Sequence, residues 1–259
     1  MKTYFDASVE SASSVTLSYH GQDERTAMAI FLPKVDFDTM VLYVPGGTSG
    51  IGLESRNGSV ISMQNTGFTW LWLPIWLNHG MAVAVVDFPE SLRNRTIAPS
   101  LRSTKGRIDT LKEMIKHMRD SFPGKRLVGY GHSYGALEIG ELAKTDLLDK
   151  IVIGSGSLVP NLNPRYPYIN GYVQNFNRDT VKVPTLIVHH ANDKTGEYRF
   201  EQIRLIMDQF NGIEVSGGIP HLGNPGRDPG PHFFTTQENE VARNIIAWIR
   251  DQNYDRYIN

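Results

Sequence analysis

Cysteine is absent from this sequence of 259 residues, and its absence excludes several chemistries at once. Without thiols the chain has no disulfide framework, no thiolate zinc site and no cysteine nucleophile, and its redox compartment stays undetermined. Long apolar runs are lacking too. None approaches the roughly 18–20 residues needed to cross a bilayer, and the longest, Phe68 to Leu77, is interrupted by Pro74. The sequence therefore predicts no transmembrane segment.

A secretory signal and an excess of charge are also missing. The segment Met1 to Asp6 lacks the apolar core of a signal peptide, so we expect a cytoplasmic protein unless a leader has been removed. Lys and Arg total 26 against 27 Asp and Glu, a formal net charge of -1. Such a balance gives no bulk attraction to nucleic acid or to an anionic membrane. Either partner would therefore need a local patch of charge, and we expect no nucleic acid. The small-molecule partner that we expect follows from motifs further along the chain, and the sequence leaves the oligomeric state open.

Short apolar runs alternate with helical patterns along the chain. Val15 to His20 and Thr26 to Leu32 predict an opening antiparallel pair of strands. Continuous apolar runs, typical of strands buried on both faces, follow at Met40 to Val44, Ala82 to Val86, Leu127 to Tyr130, Ile151 to Ile153 and Thr185 to Val188. Helical patterns occupy Ile108 to Met118, the residues after Tyr134, Phe200 to Phe210 and Thr236 to Arg250. This alternation predicts a single α/β domain over residues 1–259, built as a three-layer α/β/α sandwich around a mostly parallel sheet of about eight strands.

The strongest functional motif is G-x-S-x-G at Gly131 to Gly135, with Ser133 at its centre. It lies directly between the predicted strand Leu127 to Tyr130 and a predicted helix, which is the context that a nucleophile elbow requires. Small residues two before and two after the serine let the strand and the helix pack closely around a strained turn. The same turn directs the backbone N–H of Tyr134, at a helix N-terminus, toward a substrate oxygen. The alternative is an ordinary β-to-α turn without catalysis.

A serine nucleophile needs a histidine base and a carboxylate that orients it. Asp193 follows the strand that ends at Val188, which favours it as the acid over a plain turn residue. Two histidines compete as the base. His232 lies just before the last helix, which Thr235 to Glu238 is predicted to open with a capping box, whereas His221 lies in a loop rich in glycine and proline. We favour His232, because a short loop anchored by a helix start holds a base more rigidly.

A glycine-rich loop supports a different class of function. Gly46 to Gly52 is similar to the loop with which short-chain dehydrogenases hold a dinucleotide pyrophosphate. Here, however, two predicted strands precede the loop, and Asn57-Gly58 signals a turn where a helix should continue. None of the 11 tyrosines is followed four residues later by the lysine that those enzymes need. An NAD(P)-binding oxidoreductase is therefore the weaker alternative, and no cofactor is expected.

Two further clusters favour structural roles. Trp72 and Trp76 share a helical face, which is typical of core packing; the alternative is an apolar wall for the substrate. His189 and His190 are adjacent on a predicted strand, so their side chains point to opposite faces and do not chelate one ion. We expect no metal, and we expect one of the two histidines to pack beneath the site.

Four segments in this order resemble the α/β-hydrolase superfamily, in particular its small bacterial members similar to dienelactone hydrolases and esterases. They are Val44 to Gly47, Gly131 to Gly135, Val188 to Asp193 and His232 to Phe234, within a resemblance that covers Thr39 to Arg250. The resemblance implies that the backbone N–H of Gly47 completes the oxyanion hole. The chain departs from many relatives at Pro45, where they carry a histidine; a backbone donor survives that change. A lid would lie within Gly154 to Pro184, a segment too short for a large helical cap.

These observations predict a serine hydrolase that cleaves a carboxylic ester through an acyl-enzyme intermediate. The predicted triad is Ser133, Asp193 and His232. A thioesterase, a lactonase or an amidase would use the same residues. A non-catalytic binding protein of the same fold is a further alternative, although all three triad members are present.

Overall fold

The structure is a computed structural model that describes residues 9–19, 24–47, 50–62, 67–89, 92, 97–160, 171–194, 200–219 and 230–259. Eleven strands occur within these ranges: β1 (Val9–Tyr19), β2 (Glu24–Pro33), β3 (Thr39–Val44), β4 (Glu54–Arg56), β5 (Ser59–Ser62), β6 (Met81–Val86), β7 (Arg126–His132), β8 (Lys150–Gly154), β9 (Thr185–His190), β10 (Asn211–Val215) and β11 (Tyr257–Ile258). The α-helices are α1 (Gly67–Asn78), α2 (Pro99–Arg102), α3 (Lys105–Ser121), α4 (Gly135–Leu142), α5 (Phe200–Met207) and α6 (Glu238–Ile249). A 3-10 helix covers Pro231–Phe233.

All these strands join one mixed sheet in the order β11-β10-β9-β8-β7-β3-β6-β2-β1-β5-β4. The strands from β11 to β6 in this order run parallel to their neighbours, and β2, β1, β5 and β4 add antiparallel pairs at one edge. Eight strands have five or more residues, while β4, β5 and β11 are shorter. The predicted mostly parallel sheet of about eight strands, with its opening antiparallel pair, is confirmed.

Helices cover both faces of the sheet and bury two apolar cores. On one face α1 and α6 pack against the sheet, and on the other face α3, α4 and α5 do so. The central strands β3, β6 and β9 are buried along their whole length, which explains their continuous apolar sequences. This arrangement confirms the three-layer α/β/α architecture. No helix in the described part of the chain is long and apolar enough to cross a membrane.

The last helix begins later than its sequence pattern suggests, and the predicted capping box is wrong. Helix α6 starts at Glu238, and Gln237, the residue before it, makes no side-chain capping hydrogen bond. Thr236 has φ 74°, in the left-handed region, so the chain is still turning there. The Gln237 side chain donates instead to the carbonyl of Ser216 at 2.7 Å. The Gln237 side chain is therefore used in a contact with a distant loop and not in a cap of α6.

The turn signal at Asn57-Gly58 corresponds to a hairpin between β4 and β5. Asn57 has φ 51° and Gly58 has φ 76°, the left-handed pair that a tight two-residue hairpin needs. The glycine loop that precedes β4 therefore leads into a hairpin and not into a helix. In short-chain dehydrogenases the glycine loop leads into a helix whose N-terminus binds the pyrophosphate. The glycine loop of this chain therefore differs from a dinucleotide-binding loop.

The core on the α1 side depends on stacked aromatic rings. Trp72 is fully buried, and its ring centroid lies 5.8 Å from that of Trp76, 5.9 Å from that of Tyr130 and 6.2 Å from that of Phe234. Trp72→Ala should lower the free energy of unfolding by about 3–5 kcal/mol, because it removes this packing and leaves a cavity.

Urea unfolding followed by circular dichroism measures this loss. Leu205→Ala is the control: Leu205 is 69% exposed on α5, so its truncation should change stability by less than about 0.5 kcal/mol. Equal effects of the two substitutions would contradict the assignment of Trp72 to the core.

Candidate active site

Ser133 occupies the strained turn between β7 and α4. Its φ is 52°, a left-handed conformation that non-glycine residues adopt rarely and usually for a functional reason. Its backbone N–H donates to the carbonyl of Gly154 at 3.0 Å, which anchors the turn to the end of β8. The side chain is half-buried. This is the backbone geometry of a nucleophile elbow, and it lies at the carboxyl ends of the parallel strands.

The glycines of the motif permit close backbone packing around that turn. A β-carbon built on Gly131 would lie 2.6 Å from the carbonyl oxygen of Gly135. A β-carbon on Gly135 would overlap the carbonyl oxygen of Val44, at the end of β3. Any larger residue at either position would therefore push α4 away from the sheet. The spacing in the sequence reflects this steric requirement.

The turn after β3 lies directly against Ser133. A β-carbon built on Gly46 would be 2.6 Å from the Ser133 β-carbon, so the backbone of this turn contacts the elbow. Gly47 is exposed and has φ 81°. Tyr134 is the residue before α4 and is half-buried. Within the described residues, the backbone N–H groups of Gly47 and Tyr134 have no acceptor. The structure thus brings both predicted oxyanion donors to the neighbourhood of Ser133.

His232 and Asp193 form a buried hydrogen-bonded pair. His232 Nδ1 lies 2.7 Å from Asp193 Oδ2, and the two residues are 6% and 5% exposed. A carboxylate accepts hydrogen bonds, so Nδ1 carries the proton in this contact and Nε2 of the neutral ring is left as the basic nitrogen. This is the arrangement in which a histidine can remove a proton from a serine hydroxyl.

His232 lies on a short 3-10 helix that aromatic packing fixes in place. Phe234 is fully buried with φ 57°, so the chain turns sharply after the helix. The ring of Phe233 lies edge-on to His232, with centroids 5.2 Å apart, and stacks on His132 at 5.3 Å. His132 precedes Ser133, and its ring centroid is 4.9 Å from that of His232. These contacts bring the ring of His232 next to the turn at Ser133.

Two more histidines, His132 and His189, lie in buried positions close to His232 and Asp193. Burial lowers the pKa of His132 well below its ordinary value, and the nearby His232 adds to this effect. His189 is 1% exposed, and its Nε2 lies 3.8 Å from Asp193 Oδ2. Burial lowers the pKa of His189 to about 4, although the Asp193 carboxylate opposes the shift. Both rings are therefore neutral near pH 7, and the expected histidine beneath the site is His189.

His190 has a separate role in the turn that carries Asp193. Its Nδ1 accepts the backbone N–H of Asn192 at 3.0 Å, and its Nε2 is 3.2 Å from the carbonyl of Gly217. The Asp193 N–H donates back to the carbonyl of His190 at 3.0 Å. The two adjacent histidines are thus used on different sides of β9, one beneath the site and one in the turn.

The other predicted residues have different outcomes. His221, the competing base, lies outside the described residues. Trp72 and Trp76 have no exposed surface and pack in the core on the α1 side. This burial contradicts the alternative, an apolar wall for the substrate, because a ligand has no access to either ring.

Buried charges behind the turn were not identified in the sequence. Asp87, at the end of β6, is fully buried and accepts the backbone N–H groups of Ile51 and Leu53 with one carboxylate oxygen each, both at 2.8 Å. Arg102, Arg107 and Glu138 form a buried ion-paired cluster nearby. The paired residues are 31 and 36 positions apart in the sequence, so no local pattern indicates that they meet. Arginine and glutamate at helical spacing are also typical of solvated helix faces.

The segment between β8 and β9 packs beside the site. In its described parts, 155–160 and 171–184, it forms turns and no helix or strand. Within the segment, the N–H of Val173 donates to the carbonyl of Ser157. The N–H of Lys182 donates to the carbonyl of Ala143, and this bond joins the segment to the end of α4. These described parts are consistent with the predicted absence of a large helical cap.

No family model matches this chain, and no curated protein matches it in sequence. Solved structures match its fold at low identity. An esterase of Pyrococcus furiosus is 15% identical, with 94% of this chain and 92% of the other covered and a TM-score of 0.65. An α/β serine hydrolase homologue from Coxiella burnetii is 14% identical, with coverages of 91% and 96% and a TM-score of 0.58. A lidless α/β serine hydrolase from Xanthomonas campestris is 14% identical, with coverages of 92% and 94% and a TM-score of 0.57. The chain has the α/β-hydrolase fold, as its motifs predicted.

The buried His189 predicts how stability depends on pH. The pKa of His189 in the folded chain, about 4, lies below its ordinary value of 6.5. Between these values the unfolded chain binds a proton that the folded chain does not, so the free energy of unfolding falls as the pH drops through this window. His189→Gln should reduce the slope by about 1.4 kcal/mol per pH unit there.

Urea unfolding at pH 8, 6, 5 and 4.5 measures both slopes. At pH 8 the ring is neutral in both states, so the comparison at that pH isolates the packing effect of the substitution. Parallel stability curves for the variant and the wild type between pH 6 and 4.5 would show that His189 does not stay neutral when buried.

Proposed function

We propose that this protein is a cofactor-independent serine hydrolase that cleaves carboxylic esters of small molecules. The observation that carries the proposal is the 2.7 Å contact between His232 Nδ1 and Asp193 Oδ2 beside the left-handed turn at Ser133. The structural neighbours described as esterases and serine hydrolases support it at the level of the fold. We propose further that residues 1–259 act as a single catalytic domain.

In the first half of the reaction, Ser133 Oγ attacks the ester carbonyl carbon. His232 Nε2 takes the hydroxyl proton as the C–O bond forms, and the carbonyl π electrons move onto the oxygen. Asp193 holds the ring in the tautomer with Nδ1 protonated and stabilises the imidazolium that results. When the tetrahedral intermediate collapses, the imidazolium returns the proton to the departing alkoxide. The products of this half are the alcohol and an ester of Ser133.

Two backbone donors stabilise the negative oxygen of the intermediate. The N–H of Tyr134 belongs to the start of α4, where the helix dipole favours negative charge. The N–H of Gly47 comes from the turn that contacts the elbow. A donor fixed before the reaction costs no reorganisation as the charge develops, and deletion of one such donor typically lowers kcat by about 10²- to 10³-fold.

The second half repeats the chemistry with water. His232 Nε2 takes a proton from water as the water oxygen attacks the acyl carbon. Collapse of the second tetrahedral intermediate breaks the bond to Ser133 Oγ, which recovers the proton from His232. The carboxylic acid leaves, and the chain returns to its starting state. No redox equivalent and no metal takes part in this sequence.

Ser133→Ala should abolish hydrolysis of short p-nitrophenyl esters without unfolding the chain. Ser155→Ala is a matched control, because Ser155 also has a left-handed backbone, with φ 44°, at the end of the neighbouring strand, but is only 1% exposed. The control should retain turnover. The measurement is the initial rate with p-nitrophenyl acetate and butyrate, together with the thermal midpoint of each variant. Turnover by Ser133→Ala above the rate in buffer would overturn the proposal.

Asp193→Asn should lower kcat by about 10³- to 10⁴-fold, since the amide holds the wrong tautomer of the base. His232→Ala should be at least as damaging, whereas His221→Ala should leave kcat nearly unchanged. Steady-state kinetics on the same ester compares all three. A severe loss in His221→Ala with activity kept in His232→Ala would move the base to His221.

A further inference from the structure

A single buried arginine holds the three consecutive carbonyl groups of the turn after β3. Arg102 Nη1 donates to the carbonyl of Pro45 at 3.0 Å. Its Nη2 donates to the carbonyl of Gly47 at 2.9 Å and lies 3.4 Å from that of Gly46. Arg102 is fully buried at the end of α2. One planar guanidinium thus spans the turn that contacts Ser133.

The guanidinium is itself fixed by a buried carboxylate on the elbow helix. Glu138 Oε2 lies 2.5 Å from Arg102 Nη1, and its Oε1 lies 2.6 Å from Arg107 Nε. Glu138 has no exposed surface and belongs to α4, which begins two residues after the nucleophile. Burial lowers the pKa of Arg102, and the Glu138 carboxylate opposes that shift. The ion pair therefore joins the elbow helix to the turn.

The geometry of the peptide between Gly46 and Gly47 relates these hydrogen bonds to catalysis. The carbonyl of Gly46 and the N–H of Gly47 belong to one planar peptide and point in opposite directions. The Gly46 carbonyl faces Arg102 Nη2 at 3.4 Å, so the Gly47 N–H of the same peptide points away from Arg102. The contacts to Pro45 and Gly47 hold the peptides on either side in place. The restraint matters because Gly47 has φ 81° and open space around its α-carbon, and glycine adopts several backbone conformations at little cost.

We propose that Arg102 is a positioning residue for the oxyanion hole. It fixes the peptide between Gly46 and Gly47, so that the Gly47 N–H points toward the developing oxyanion. The inference rests on the proposed function, because it assigns the Gly47 N–H to that hole. Arg102 itself does not touch substrate. Its contribution belongs to the transition state, where charge appears on the oxygen, and much less to binding of the neutral ester.

Arg107 offers a matched control within the same ion-paired cluster. It is equally buried and pairs with the other oxygen of Glu138, but its second contact is the carbonyl of Asp87 at 2.7 Å and not the turn. Arg102→Gln and Arg107→Gln each remove one charge from Glu138. They should destabilise the chain to a similar extent, so a difference in catalysis reports the contacts to the turn.

Steady-state kinetics on p-nitrophenyl butyrate should separate the two. We expect Arg102→Gln to lower kcat by about 10- to 100-fold, less than deletion of a whole donor, with little change in KM. Arg107→Gln should keep most of the wild-type kcat. Arg102→Lys preserves the charge and one donor to the turn, so it should recover part of the loss, and it replaces Arg102→Gln if that variant does not fold.

A second readout uses a trifluoromethyl ketone, which adds to the serine and places a negative oxygen in the hole. Arg102→Gln should raise its inhibition constant by about the same factor as it lowers kcat/KM, whereas Arg107→Gln should not. Equal losses of kcat in the two glutamine variants, tracking their stability, would reduce Arg102 to a structural role and overturn the inference alone. Absence of ester turnover in the wild-type chain would instead overturn the proposed function and the inference with it.

Discussion

The left-handed backbone at Ser133 is the constraint on which the rest of the site depends. That conformation is held because β7 and β3 run in register, with Val44 opposite Gly131, and because glycines let the backbones meet there. The same close approach sets the turn after β3 against Ser133 and starts α4 beside it. Ser133, Tyr134 and Gly47 thus lie in neighbouring segments whose relative positions the sheet fixes. The strain at one residue is stabilised by the packing of the whole central sheet.

Around this turn, buried ionisable groups fall into two kinds. His132 and His189 have lowered pKa values because burial penalises the charged ring, so they are neutral near pH 7. Arg102 and Glu138 instead pair at 2.5 Å, and Arg102 also donates to the backbone carbonyls of Pro45 and Gly47. Burial of an ion is tolerated only with such pairing. In the proposed mechanism, the neutral rings close to His232 and the ion pair behind the turn give a preorganised environment for a developing negative oxygen.

The sequence alone was sufficient to predict the sheet and the elements of the site that have local signals. Central strands are recognisable because burial on both faces makes them continuously apolar, and the elbow is recognisable because its glycines have fixed spacing. Features set by contacts between distant residues were not predictable. Helix α6 begins later than its sequence pattern indicates, because Gln237 donates to the carbonyl of Ser216. The Arg102–Glu138 pair joins two helices whose residues are 36 positions apart. In the sequence both residues of that pair are typical of exposed helix faces, whereas in the structure both are fully buried.

The proposed function requires Ser133 to be an activated nucleophile. Labelling of the folded chain with a fluorophosphonate, read by intact mass and peptide mapping, tests this most directly, because the reagent reacts with a serine whose base and oxyanion donors are in place. We expect one adduct for each chain, on the peptide that contains Ser133. A folded sample with no adduct, or an adduct on a different residue, would contradict it.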